Sequence, residues 1–179
     1  RMVRQKNWWH LYLPSPYRLA RGKHHPIRDW FTRLAIGLRR SWEKEIPRAI
    51  FFLSSEKIAL FLRHIWATDG NVSWKILAGR KPAGAIYYAS ASEILARGIQ
   101  HLLLSMGIQS FLKQIPQGEH RPQYHVHVYG AVMQIKFLET VGCFGERGRI
   151  IPELISALRA IVPHSTADII PAAVWKAVI

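Results

Sequence analysis

The sequence predicts an α+β domain in which a four-stranded antiparallel sheet is covered on one face by helices. Three observations predict it. Ile58, Phe61, Leu62, Ile65 and Trp66 recur with the 3.6-residue period of a buried helix. Directly after Gly70 the period drops to two, Val72, Trp74 and Ile76 alternating with Asn71, Ser73 and Lys75. The same kinds of segment then recur, so that the order from Ser54 to Gly142 reads α-β-β-α-β-β-α.

Taken in order, Trp8–Leu13 alternates as a strand and is stopped by Pro14-Ser15-Pro16. A basic stretch follows, with Arg18, Arg21, Lys23 and Arg28 as a solvated loop or a phosphate-contacting surface. Ile27–Leu38 has helical spacing with Pro26 near its start, and a polar link runs to Pro47, a candidate boundary. Ser54 is placed to cap the next helix, which ends in Asp69-Gly70. A carboxylate at a helix C-terminus opposes the helix dipole, so it suits cation binding better than helix stability. Arg80 and Lys81 lie in the turn before the return strand Ala85–Ala89. Ser90 and Glu93 have capping-box spacing, opening a helix through Leu95, Ile99, Leu102 and Leu103 to Gly107. A second hairpin runs from Ile108–Ile115, through a turn holding Gly118 and Pro122, into Tyr124–Tyr129. Val126 and Val128 face one way there, and His125, His127 and Tyr129 the other. A helix from Gly130 to Gly142 follows, and two more are expected over 150–161 and 171–179.

The composition narrows the partners. Lys and Arg number 25 against 11 acidic residues, a net charge of +14, and residues 1–50 alone hold twelve basic and three acidic groups. Such a field suits a polyanion, and nucleic acid before membrane, because no basic helix has a strongly apolar opposite face. The single Cys143 excludes an internal disulfide and a Cys-rich zinc site. No apolar run approaches the roughly 18 residues of a membrane span and no secretory signal is present, so a cytoplasmic location is expected. The chain opens at Arg1 and stops at Ile179 inside an apolar helical pattern, as expected of a piece of a longer protein. One sheet face would carry Asn71, Ser73, Lys75, Lys113, His125 and His127 as candidates for base or phosphate contact, and Trp30, Trp42, Trp66 and Trp74 read as core.

Leu62–Gly70 resembles the helix that names the LAGLIDADG endonucleases, with Leu62, Asp69 and Gly70 at identical positions. Ser92-Glu93-Ile94-Leu95-Ala96, Leu102–Ile108, Val128-Tyr129-Gly130 and Lys136–Gly142 resemble the second repeat of the homing endonuclease domain of inteins. Tyr12–Leu19, Glu43-Lys44-Glu45-Ile46-Pro47 and Ile169–Lys176 are similar to the versions in replicative DNA helicases. The resemblance implies the tail of a first repeat and a basic connector over 1–50, the second repeat over 51–145 and a helical extension over 146–179. It implies Mg²⁺-dependent double-strand cleavage of a long specific DNA site, with one carboxylate from each repeat helix. Asp69 would be this chain's carboxylate, helped by the Thr68 carbonyl, and Lys44 would lie near the scissile phosphate. Partners would be double-stranded DNA and, in the parent chain, the first repeat and the splicing domain, with no membrane. Arg63 and His64 stand where the family has small residues, and Ala67 replaces the first acid. The first repeat's own acidic helix is expected upstream, so the piece alone is expected to be inactive. Neither terminus offers splicing residues. Two other readings remain: a non-cleaving DNA-binding module of the same fold, or an unrelated basic RNA-binding α/β protein, for which Asp69→Asn would cost nothing.

Overall fold

The computed structural model describes residues 1–161 except Leu38, Leu77, Arg80 and Lys81. The Arg80 and Lys81 contacts, Leu38 itself, the helix over 171–179 and the Ile169–Lys176 motif therefore fall outside the described residues. The chain divides into two compact units, Arg1–Arg39 and the rest from Arg40 on.

In the first unit, β1 (Met2–Arg4) pairs antiparallel with β2 (Trp9–Leu11), Val3 opposite His10. The strand expected over Trp8–Leu13 is thus three residues long. Helix α1 (Pro26–Arg33) starts with Pro26 in its first turn, where a missing N–H costs nothing, and His25 Nδ1 accepts from the Ile27 amide at 3.2 Å. Ala35 at φ 55° takes the left-handed region and ends the helix before the predicted Leu38. Among the described residues of this unit none is buried. Trp30, expected in a core, is 59% exposed.

The second unit contains two 3₁₀ turns (Ser41–Glu43, Arg48–Phe52), then α2 (Ser55–Asp69), β3 (Gly70–Lys75), β4 (Ala83–Ser90), α3 (Glu93–Ser105), β5 (Ser110–Gln117), β6 (His120–Val128), α4 (Ala131–Thr140), a 3₁₀ turn (Glu146–Gly148) and α5 (Ile151–Arg159). The expected order and the four-stranded antiparallel sheet are present, with strand order β3-β4-β6-β5. Val72, Ile86, Val126 and Val128 project from one face of the sheet onto Leu62 and Trp66 of α2, Ile99 and Leu103 of α3, Phe137 of α4 and Leu154 and Leu158 of α5. Residues 40–50 fall in this compact unit, with Ile46 buried in its core. Of the tryptophans expected inside, Trp66 is fully buried and Trp74 packs against the core. Trp42 instead makes cation–π contacts with the guanidinium groups of Arg40 (5.2 Å) and Arg121 (4.4 Å).

The caps differ from the sequence reading. Ser54 flanks α2 without a side-chain bond to the helix. The cap of α3 is Ser92, not Ser90: β4 extends through Ser90, and Ser92 Oγ accepts from the Leu95 amide at 3.2 Å. The same hydroxyl donates to the Lys44 carbonyl at 2.6 Å. Glu93, freed from capping, pairs with Arg97 at 2.7 Å. Pro122 lies inside β6 rather than in the turn, on the stretch that pairs with β5 but not β4, where a missing N–H is tolerated. Because Ser92 is fully buried and joins two elements, Ser92→Ala is expected to lower stability by about 1–3 kcal/mol in urea unfolding.

Candidate nucleic-acid and metal site

Asp69 is the last residue of α2 and is exposed. Two neighbours fix it there. Gly70 turns the chain into β3 so tightly that a Cβ at this position would lie 2.7 Å from the Trp66 carbonyl oxygen. Tyr88 of β4 hydrogen-bonds the Asp69 side chain; burial and then the Asp69 charge raise its pKa, so it remains a neutral donor. The Thr68 and Ala67 carbonyls, left without partners by the helix end, accept from Arg147 Nη1 at 2.7 and 2.9 Å. A cation already sits where the Thr68 carbonyl was expected to face a metal. Arg147 is absent from the sequence reading, since nothing in the spacing links the Gly-Glu-Arg-Gly turn to a helix some 80 residues earlier.

Lys44 is exposed, and its backbone is tied to Ser92. Tyr88 and Ser92 are four residues apart, at most about 14 Å of extended chain. Asp69 and the Lys44 segment are therefore anchored at the same end of β4. Arg63, at one of the positions the resemblance fills with a small residue, donates through Nε to the Val141 carbonyl and lies 5.4 Å from the Phe144 ring. His64 packs on that ring at 4.8 Å.

The sheet face turned away from the helices carries Asn71, Ser73 and Lys75 of β3, Lys113 of β5 and His125 and His127 of β6, as expected. Asn71 is a poorer base reader than expected: both its amide hydrogens are engaged, with Ser73 Oγ (2.9 Å) and the Ala85 carbonyl (2.7 Å). Missed in the sequence were the rings between these residues. Asn71, Tyr87, His127 and Phe111 form one row across all four strands. Tyr87 stacks on His125 at 5.1 Å, Phe111 on His127 at 5.4 Å and on Tyr129 at 4.1 Å. Lys75 Nζ lies 5.9 Å from the Tyr87 ring. Arg18, Arg21 and Lys23 are exposed in the first unit, Lys23 over the Tyr17 ring at 4.4 Å.

Burial pushes the His127 pKa from 6.5 down to about 4, with His125, Lys113 and Lys75 adding to the effect. Burial and Lys113 lower His125 as well. Both rings are neutral at pH 7. With the folded pKa depressed, the unfolded chain takes up the proton first. The stability is full above pH 6.5 and is lost as the pH falls towards 4. After solvent screening the loss is about 1 kcal/mol, and His127→Gln should flatten that part of a plot of urea midpoint against pH.

Among the described residues no three or more His, Cys, Asp or Glu cluster as a metal site, and no helix is long and apolar enough to cross a membrane. Asp69 is the acid this chain places at the end of α2.

Residues 56–142 match the family model of the LAGLIDADG-like domain. The chain is 42% identical over 174 residues to the replicative DNA helicase DnaB of Rhodothermus marinus, covering 96% of this chain and 18% of that protein. To the RecA protein of Mycobacterium tuberculosis it is 26% identical over 162 residues, covering 81% of this chain and 19% of RecA. It thus spans under a fifth of each relative. A crystal structure of I-DmoI in complex with DNA and Mn aligns with a TM-score of 0.33 and 15% identity, covering 59% of this chain and 77% of that one.

Proposed function

We propose that this chain is part of an intein-embedded homing endonuclease: it binds a specific duplex and contributes one carboxylate to Mg²⁺-dependent phosphodiester hydrolysis. The observation that carries this reading is the position of Asp69, an exposed carboxylate at the end of α2 next to an uncovered sheet face with lysines on its outer strands. The intein context is supported by the relatives. The chain matches under a fifth of DnaB and under a fifth of RecA, as an inserted element shared by two hosts would.

The donor set fits Mg²⁺. The Asp69 carboxylate is a hard oxygen donor of the kind Mg²⁺ takes, at the negative end of a helix. The Ala67 and Thr68 carbonyls are engaged by the Arg147 guanidinium and join the donor set only if it moves aside. Bound there, Mg²⁺ would supply a Lewis acid and an activated water for phosphate hydrolysis. Tyr88 holds the Asp69 carboxylate in place as a neutral donor. Lys44 offers an ammonium to the charge developing on the phosphate. The net charge of +14 gathers the duplex by counterion release. In this proposal the second carboxylate comes from a companion repeat of the parent chain, and the protein acts in the cytoplasm.

The test is gel retardation on a duplex carrying the uninterrupted host-gene junction, beside a shuffled duplex and the matching RNA. Retention of the junction at salt that releases both others is expected. Equal retention of junction and shuffled duplex, or preference for the RNA, overturns the reading. The Arg147 guanidinium on the Thr68 carbonyl favours a second reading, a module that holds DNA without cutting it.

A further inference from the structure

We propose that the ring row Tyr87–His127–Phe111, with Tyr129 beside it, reads the C5-methyl groups of thymine in the major groove. The inference rests on the duplex-DNA reading above and goes beyond it in naming what the sheet recognises. The row crosses the sheet from β4 to β5, and the rings stand against one another. Phe111 and Tyr129 are 17° from parallel at 4.1 Å, and Tyr87 and His125 are 4° from parallel at 5.1 Å. Faces covered in this way are not open for a base to stack on. What the row turns outward is ring edge, and Phe111 is 42% exposed and Tyr129 51% exposed.

The charge on this face is segregated. Lys75 lies on β3 and Lys113 on β5, the two outer strands. Where β4 and β6 pair, the inner strands turn Ala85, Tyr87, Ala89, His125 and His127 to this face. Gln123 beyond them is hydrogen-bonded to His125 at 3.2 Å, and Arg121, further along β6, packs over the Trp42 ring at 4.4 Å. Four strands span about 14 Å, close to the width of the major groove, about 12 Å. Lysines at the rims then meet the phosphate backbones, and the apolar centre meets the base edges. Of the four bases only thymine turns an apolar group into that groove. Guanine, which lysine or arginine reads best, finds no cation at the centre. Asn71, which would read adenine, has both its amide hydrogens engaged within the sheet.

The experiment uses the intact chain to select duplexes from a random pool, then replaces thymine by deoxyuridine at the shared positions. That exchange removes one methyl and keeps every hydrogen bond. The protein is expected to lose about fourfold in affinity for each methyl that it buries, the transfer value of one carbon. Phe111→Ala, at an exposed position that leaves the core intact, is expected to bind thymine and deoxyuridine duplexes equally. Tyr87→Phe, which keeps the ring, is expected to retain the discrimination. Selected duplexes without shared thymines, or equal wild-type affinity for both forms, overturn the inference and leave the duplex reading standing. Enrichment of no duplex at all overturns both.

Discussion

Asp69→Asn in the parent protein is expected, on the proposed function, to lower Mg²⁺-dependent cleavage by about 10³-fold or more and to leave duplex affinity within about twofold. The substitution keeps the shape and removes the charge. Asparagine Oδ1 can still accept the Tyr88 hydrogen bond, and Asp69 is exposed at the helix end, so the fold has little to lose. The negative charge that would hold a divalent ion in the proposed reaction is gone. Plasmid linearisation and gel retardation on the same preparations check it. Loss of both activities together would mean that Asp69 positions the sheet rather than a metal, and retained cleavage would remove Asp69 from the chemistry.

Trp66→Ala is expected to cost about 3–5 kcal/mol, the range for removing a large aromatic from a packed core. Trp66 is fully buried, with its ring 4.7 Å from Phe137 and 5.6 Å from Tyr88, and its indole N–H donates to the Asn71 carbonyl at 3.4 Å. It joins α2, α4, β3 and β4 at the point where Asp69 and Tyr88 meet. The variant should therefore lose metal-dependent cleavage at temperatures where it is still largely folded. Leu60→Ala on the exposed side of the same helix should cost under about 0.5 kcal/mol. Urea unfolding of the two variants side by side measures the difference, and similar costs for both would contradict the placement of the core.

The αββαββα unit was legible because each of its helices buries one face against one side of a sheet. That leaves period 3.6 in Ile58, Leu62 and Trp66 and period 2 in Val72 and Trp74. The first unit buries no described residue, so its hydrophobic pattern had nothing to record. β1 went unseen, and Trp30 was assigned to a core that is not there. The ring row was hidden for the opposite reason. In β4 and β5 apolar residues occupy both faces, Tyr87 beside Ile86 and Phe111 beside Leu112, so alternation could not say which face was open. Ser90 and Ser92 both offered a cap, and the choice depended on how far the pairing with β6 runs, which local spacing does not encode. Arg147 reaches its carbonyls only through the tertiary fold.

The central claim is tested most directly by incubating the parent protein with a plasmid bearing the uninterrupted host gene, in Mg²⁺ and in EDTA. The account predicts one double-strand break at the junction in Mg²⁺ and an intact plasmid in EDTA. Tight, specific binding of that junction with no break in Mg²⁺ would contradict the nuclease assignment and leave a DNA-holding module of the same fold.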